Sequence, residues 1–248
     1  MNVIALYNLK GGVGKSAAAA NLAYLAAQAG LPTLLWDLDP QGAAAWYLGV
    51  DRGFAARPKK LLGGKSPLGR EIRLTPHTGL EVLPADTSFR NADLLIAKSG
   101  DGRKLLGELI EPLNERYALL ILDCPATASR LAENVVRAAT LVLSPTIPTP
   151  LSLRAWQQMQ EHFGTKRRDR EKLVAFFSMV DRRRALHRQW TDTPPPEFGR
   201  PLRSWIPYAT DVEQMGLQRA PVPRFAPRAP VTDAYRRLWA EVSTLTSA

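Results

Sequence analysis

Apolar residues along this chain fall into short unbroken runs, separated by stretches in which they recur at helical spacing. The runs are 3–7 (VIALY), 33–37 (TLLWD), 80–85 (LEVLPA), 118–123 (ALLILD), 140–145 (TLVLSP) and 173–179 (LVAFFSM). Strands without polar alternation are those covered on both faces, as in a parallel sheet. Helices are predicted over 16–29, which Gly30 stops, and over 103–116, 129–138 and 151–163. Strands alternating with helices predict an α/β fold: one domain over residues 1–248, with a mostly parallel sheet and helices on both faces. Two stretches break the rhythm. Residues 51–79, rich in Gly, Pro, Lys and Arg, read as a surface excursion, and 194–230 hold nine prolines and read as loops with short elements. Residues 231–245 carry Tyr235, Leu238, Trp239, Val242 and Leu245 at helical spacing and predict a closing helix on the sheet.

The densest chemical signal lies where the first strand gives way to the first helix, in LKGGVGKS at 9–16. Gly11, Gly12 and Gly14 let backbone N–H groups converge on phosphate oxygens, and the start of the next helix adds its positive end. Lys15 supplies a point charge and Ser16 a hydroxyl for Mg²⁺, so residues 10–17, with Val13 and Ala17, form a candidate phosphate cradle. Leu9 stands where the usual phosphate-loop pattern has glycine, and a second lysine, Lys10, follows it. Asp123 ends a buried strand at the edge where open α/β sheets bind ligands, and an acid there can hold Mg²⁺ through water. Asp37 and Asp39 end the neighbouring strand two residues apart; one can support the metal and the other orient a water, or both can serve a turn before Pro40.

The pair of lysines around Gly-Gly matches the deviant Walker A pattern, and the sequence resembles the ParA and MinD branch of those P-loop ATPases. WDLDPQG (36–42) is similar to that family's first switch, and LLILDCPA (119–126) to its Walker B strand and second switch. IPTPLSL (147–153), SMVDRRR (178–184) and PVPRFAP (221–227) also resemble ParA segments, and DLDPQG leans toward ParA over MinD. The resemblance implies slow, partner-stimulated ATP hydrolysis with Mg²⁺, Asp39 orienting water and Asp37 in the metal's outer shell. It implies that Lys10 reaches the partner's nucleotide across an ATP-state homodimer, and that Met179, Asp181 and Pro207 hold the base. Its expected partners are nonspecific double-stranded DNA and a ParB-like or other activating adaptor, which places the protein in the cytoplasm on the nucleoid. Ala126 departs from the family's usual second proline in that switch.

Charge sharpens this picture. The formal net charge is +10 at a pI near 10.0, and residues 151–248 hold 17 basic against 10 acidic side chains while 1–150 hold 16 against 13. Arg183, Arg184, Arg188, Arg200, Arg203 and Arg219 in the part spanning 181–230 suit phosphate contacts indifferent to base sequence, or a solvated basic face. No helix-turn-helix precedes the loop, so operator reading is not expected. The single Cys124 excludes a disulfide within the chain and a Cys-rich metal site, and His77, His162 and His187 lack partners at ligand spacing. A reducing compartment and no membrane insertion are expected, because no leader and no apolar span of about 18 residues occurs. A MinD-like membrane-associated positioning ATPase is the alternative; it needs a terminal basic amphipathic helix, and the last residues, STLTSA, are uncharged.

Overall fold

The computed structural model describes residues 1–53, 68–86, 93, 96, 105–164 and 167–246. Its seven-stranded sheet comprises β1 (Asn2–Leu6), β2 (Thr33–Asp37), β3 (Arg73–Leu74), β4 (Leu80–Leu83), β5 (Leu119–Asp123), β6 (Leu141–Thr146) and β7 (Leu173–Phe177). The order is β3-β4-β2-β5-β1-β6-β7, with only β3 antiparallel to its neighbour. Each apolar run predicts its strand to within a few residues. Two strands stop two residues short of their runs, β4 at Leu83 and, in place of 179, β7. Strand β7 stops at Phe177 because Met179 turns into the left-handed region at φ 53.

Period-two alternation sorts the strand side chains into two cores. Val3, Ala5, Leu34, Trp36, Leu120 and Leu122 pack on one face of the sheet, and Ile4, Leu6, Leu35 and Ile121 on the other. The first face is covered by α3 (Leu105–Ile110), α4 (Arg130–Ala138), α5 (Pro150–Phe163) and α7 (Ala185–Asp192), with α6 (Arg167–Glu171) joining α5 to β7. Ser129 starts α4 by accepting a hydrogen bond from the Ala132 N–H at 3.2 Å, a cap that satisfies one of the helix's orphan donors. The second face is covered by α1 (Lys15–Gln28), α2 (Ala43–Tyr47), α8 (Thr210–Gln218), α9 (Val222–Phe225) and α10 (Pro230–Thr246). Alanines of α1 lie against the sheet, and their small side chains bring that helix's start close to the strand ends. Asn21 locks the C-terminal part onto α1: its side chain donates to the Ala17 carbonyl at 2.8 Å and accepts from Val222 N–H at 2.9 Å.

The irregular stretches are more ordered than their composition suggests. Pro207 and Pro221 bracket a proline-free span in which α8 forms, and segment 202–208 runs alongside β7 through bonds such as Ile206 N–H to Phe177 carbonyl at 2.9 Å. The 51–79 excursion falls partly outside the described residues, as do 103 and 104 of the helix predicted over 103–116, which ends at Ile110 and passes into a 3-10 turn containing Pro112. From Leu68 onward the excursion is anchored, with Leu68, Glu71 and His77 buried. Among the described residues no helix is long and apolar enough to cross a membrane.

Candidate functional site

Strand β1 sits mid-sheet with β5 on one side and β6 on the other, so the loop after it opens at the carboxyl edge where crossovers diverge. Asn8 fixes how the chain leaves the strand. Its buried amide donates to the Ser144 hydroxyl at 3.0 Å and the Pro145 carbonyl at 2.9 Å, and its oxygen accepts from Lys10 N–H at 2.8 Å. Gly14 precedes α1 at φ 91, a left-handed conformation that favours glycine, and a Cβ there would stand 3.0 Å from the Ser178 hydroxyl. No side chain caps α1 and its first turn holds no acid. Its leading N–H groups are therefore left to a ligand, which is the arrangement an anion needs.

The charged groups converge on this opening. Lys15 is 7% exposed, with its ammonium donating to the Lys10 carbonyl at 3.3 Å. Burial lowers its pKa, while Asp123 and Asp39 pull the other way. Asp37 and Asp123 are partners in register at the ends of β2 and β5, and both are fully buried. Asp37 accepts from Ala45 N–H at 2.9 Å and Asp39 N–H at 3.2 Å, which ties the start of α2 to the end of β2. Asp39 accepts from Gln41 N–H at 3.0 Å and lines the cleft. Burial pushes Asp37 up to about 7. It raises Asp123 as well, and the Asp37 charge adds to that, while Ser16 and Lys15 oppose it. The Ser16 hydroxyl faces Asp123, and among the described residues no other hydrogen-bond donor reaches either of the buried Asp123 oxygens. A buried carboxylate left open beside a hydroxyl fits a hydrated cation.

The cleft has a volume of about 350 Å³, within the range of small-ligand sites. Gly11, Gly12, Gly14, Lys15, Ser16 and Ala17 line it along the glycine loop and the start of α1. Met179 and Pro207 also line it, whereas Val13 is buried and does not. Asp181 does not line the cleft. Its carboxylate is held by the Arg183 guanidinium at 2.9 Å, which brings its pKa down to about 2. The wall is completed instead by Tyr47, Ser178, Tyr208 and Glu213, with the Tyr208 hydroxyl donating to Glu213 at 2.7 Å. Sequence reasoning misses these four because they come from three separate segments, and no local spacing joins them. Lys10 stays outside the cleft, its ammonium 3.5 Å from the Ser152 hydroxyl on α5. Cys124 is buried and burial raises its thiol pKa, so it is an inert packing residue.

The arginines divide into two groups. Arg183, Arg184 and Arg188 cluster at the start of α7, with Arg200 and Arg203 exposed on the chain beside β7. Arg219 is elsewhere: it stacks 3.8 Å from the Trp46 ring centroid and pairs with Asp51 at 2.9 Å.

A strand, a glycine loop and an uncapped helix with a buried lysine at a parallel-sheet switch point define a P-loop nucleotide-binding protein. The AAA domain family matches residues 1–174. The chromosome-partitioning ATPase Soj of Thermus thermophilus is 34% identical over 250 residues, covering 96% of this chain and 94% of that protein. The Soj ATPase of Treponema pallidum is 35% identical over 138 residues, or 56% of this chain; that match takes in about half, 54%, of the relative's length. Among solved structures, the ATP complex of a single-substitution variant of Cyanothece McdA has a similar fold, with TM-score 0.85 over 100% of this chain and 96% of that one at 18% identity. The chain belongs to the ParA/Soj-type family of P-loop ATPases.

Proposed function

We propose that this protein is a partition or positioning ATPase whose ATP-bound form dimerises and holds double-stranded DNA without regard to sequence. An adaptor of the ParB kind stimulates hydrolysis and so releases it, moving or spacing a plasmid, a chromosome or a protein assembly. The observation that carries this reading is the open carboxylate of Asp123, buried beside Lys15 and Ser16 at the uncapped start of α1.

In this reading the amides of residues 11–17 and the Lys15 ammonium bind the β- and γ-phosphates, and Met179 and Pro207 flank the base. Ser16 would ligate Mg²⁺ directly, and Asp123 and Asp37 would hold its waters. When bound, the ion neutralises phosphate charge and fixes the terminal phosphates in place. Asp39, exposed to the cleft on the loop after β2, orients the attacking water. Lys10, turned away from its own cleft, serves the nucleotide of a second subunit much as an arginine finger does. Hydrolysis is slow in one subunit alone, because that charge arrives only with the partner.

Arg184, Arg188, Arg200 and Arg203 form the phosphate-contacting face, which Arg183 joins only by exchanging the Asp181 carboxylate for a DNA phosphate. In the alternative of a membrane-associated MinD-like protein, α10 is not itself the membrane-binding helix, because its Val231, Ala234, Tyr235, Leu238 and Val242 are spent on the core. The test is DNA retention with Mg·ATP across a salt series, using a charge reversal of Arg184, Arg188 and Arg203 to Glu. Affinity should fall equally for unrelated sequences, and the slope of log affinity against log salt should lessen by about 0.9 per lost contact. Wild-type affinity and slope in that variant would refute the assignment of the face.

A further inference from the structure

Arg219 stands where α8 ends, and its backbone is unusual: a non-glycine residue in the left-handed region at φ 47 and ψ 42. A long side chain in that conformation is disfavoured, so something must hold it. Its guanidinium lies 3.8 Å over the ring of Trp46, donates to Asp51 at 2.9 Å, and leaves Nε buried with no partner. Trp46 is gripped from the same side, because its indole N–H donates to the Gly216 carbonyl on α8 at 2.8 Å. An indole that is 41% exposed thus spans α2 and the end of α8.

Trp46 belongs to the helix that positions the acidic loop. The preceding residue, Ala45, donates its N–H to the Asp37 carboxylate; the Trp46 N–H donates to the Gly42 carbonyl, and the Gly42 N–H donates to the Asp39 backbone carbonyl. The next residue, Tyr47, lines the cleft opposite Val212 and Glu213, which come from α8. The same clasp therefore joins the wall of the nucleotide cleft to the turn carrying Asp39.

We infer that Arg219 is a positioning residue: clasped over Trp46, it fixes α2 against α8 and so sets the placement of Asp37 and Asp39 when nucleotide enters between them. This rests on the nucleotide reading above. It also takes Arg219 out of the DNA-contacting set, because stacking and the ion pair engage its charge. The residue acts through Trp46 and touches no reacting atom, so its loss should slow turnover more than it weakens binding.

The discriminating variant is Arg219→Gly, since glycine removes the side chain while adopting the left-handed backbone without cost. Its melting temperature should stay within about 3 °C of wild type, so that any further effect is not unfolding. Amide hydrogen exchange of residues 42–47 in the ligand-free protein should quicken by about tenfold, as local opening there becomes easier. Turnover at saturating Mg·ATP should fall by about five- to tenfold while the ATP dissociation constant changes by less than about twofold. Arg219→Lys, which keeps the charge but stacks less well, should recover part of both effects. Failure of the wild-type protein to bind Mg·ATP would overturn the nucleotide reading itself. Normal wild-type binding and turnover, matched by Arg219→Gly in exchange and rate, would overturn the clasp alone.

Discussion

The buried carboxylates under the P-loop give the ligand-free protein a pH dependence of inverted sense. Burial raises Asp37 to about 7 from an ordinary 3.8, and Asp123 moves in the same direction. The two titrate as a pair, and the folded pair holds a proton that the unfolded chain has already lost. A carboxyl group raised on folding contributes stability below its unfolded pKa and loses it as pH climbs through the folded value. Between about pH 5 and about pH 8 the Asp37 shift alone therefore costs on the order of 2–3 kcal/mol. For a chain of this size that is a fall of roughly 5–10 °C in melting temperature. His77 and His187 work the other way, because burial lowers both and their contribution is lost as pH falls. Asp37→Asn isolates the carboxyl contribution. The amide can accept only one of the two N–H groups that Asp37 satisfies, so the variant's absolute stability drops, and the pH slope is the quantity to read. Calorimetric melts without nucleotide should show wild type losing stability toward pH 8 more steeply than Asp37→Asn. Mg·ATP should flatten the wild-type curve by stabilising the charged carboxylates. Parallel slopes for the two proteins would refute the claim that this site stores uncompensated charge.

Asp39→Ala should retain Mg·ATP affinity within about twofold yet lose most hydrolysis, so that single-turnover assays show ATP bound but unspent; normal turnover would remove Asp39 from the water-orienting role. Lys10→Ala should bind nucleotide as a monomer with unchanged affinity, since its ammonium lies outside its own cleft, and light scattering with Mg·ATP should find no dimer. A stable ATP dimer of that variant would end the cross-subunit assignment.

Strands are legible because a parallel sheet buried on both faces demands unbroken apolar runs, and TLLWD coincides with β2 residue for residue. The glycine loop that lines the cleft is legible for a similar reason. Glycines, lysine and hydroxyl act through one continuous backbone turn, so their spacing is local. What escapes reading depends on distant packing. Helix α8 lies inside a proline-rich stretch and is fixed by Met215 against Asn21, and β3 has two exposed residues with no apolar pattern to betray it. Tyr208 and Glu213 line the cleft only because 202–208 folds back beside β7. Asp181 reads as a base contact by resemblance, but Arg183, two residues on, takes its carboxylate. Arg219 reads as a free cation, and its partners, Trp46 and Asp51, are some 170 residues away in sequence.

If the cleft at the start of α1 takes Mg·ATP, the buried Lys15, 7% exposed, is the charge that must hold its phosphates. Isothermal titration of Mg·ATP into wild type and Lys15→Ala, with folding checked by melting, tests it most directly. Wild type should bind with a stoichiometry of one per chain, and Lys15→Ala, though folded, should show affinity weakened by about a hundredfold or more. Equal affinity in the two proteins would contradict the account.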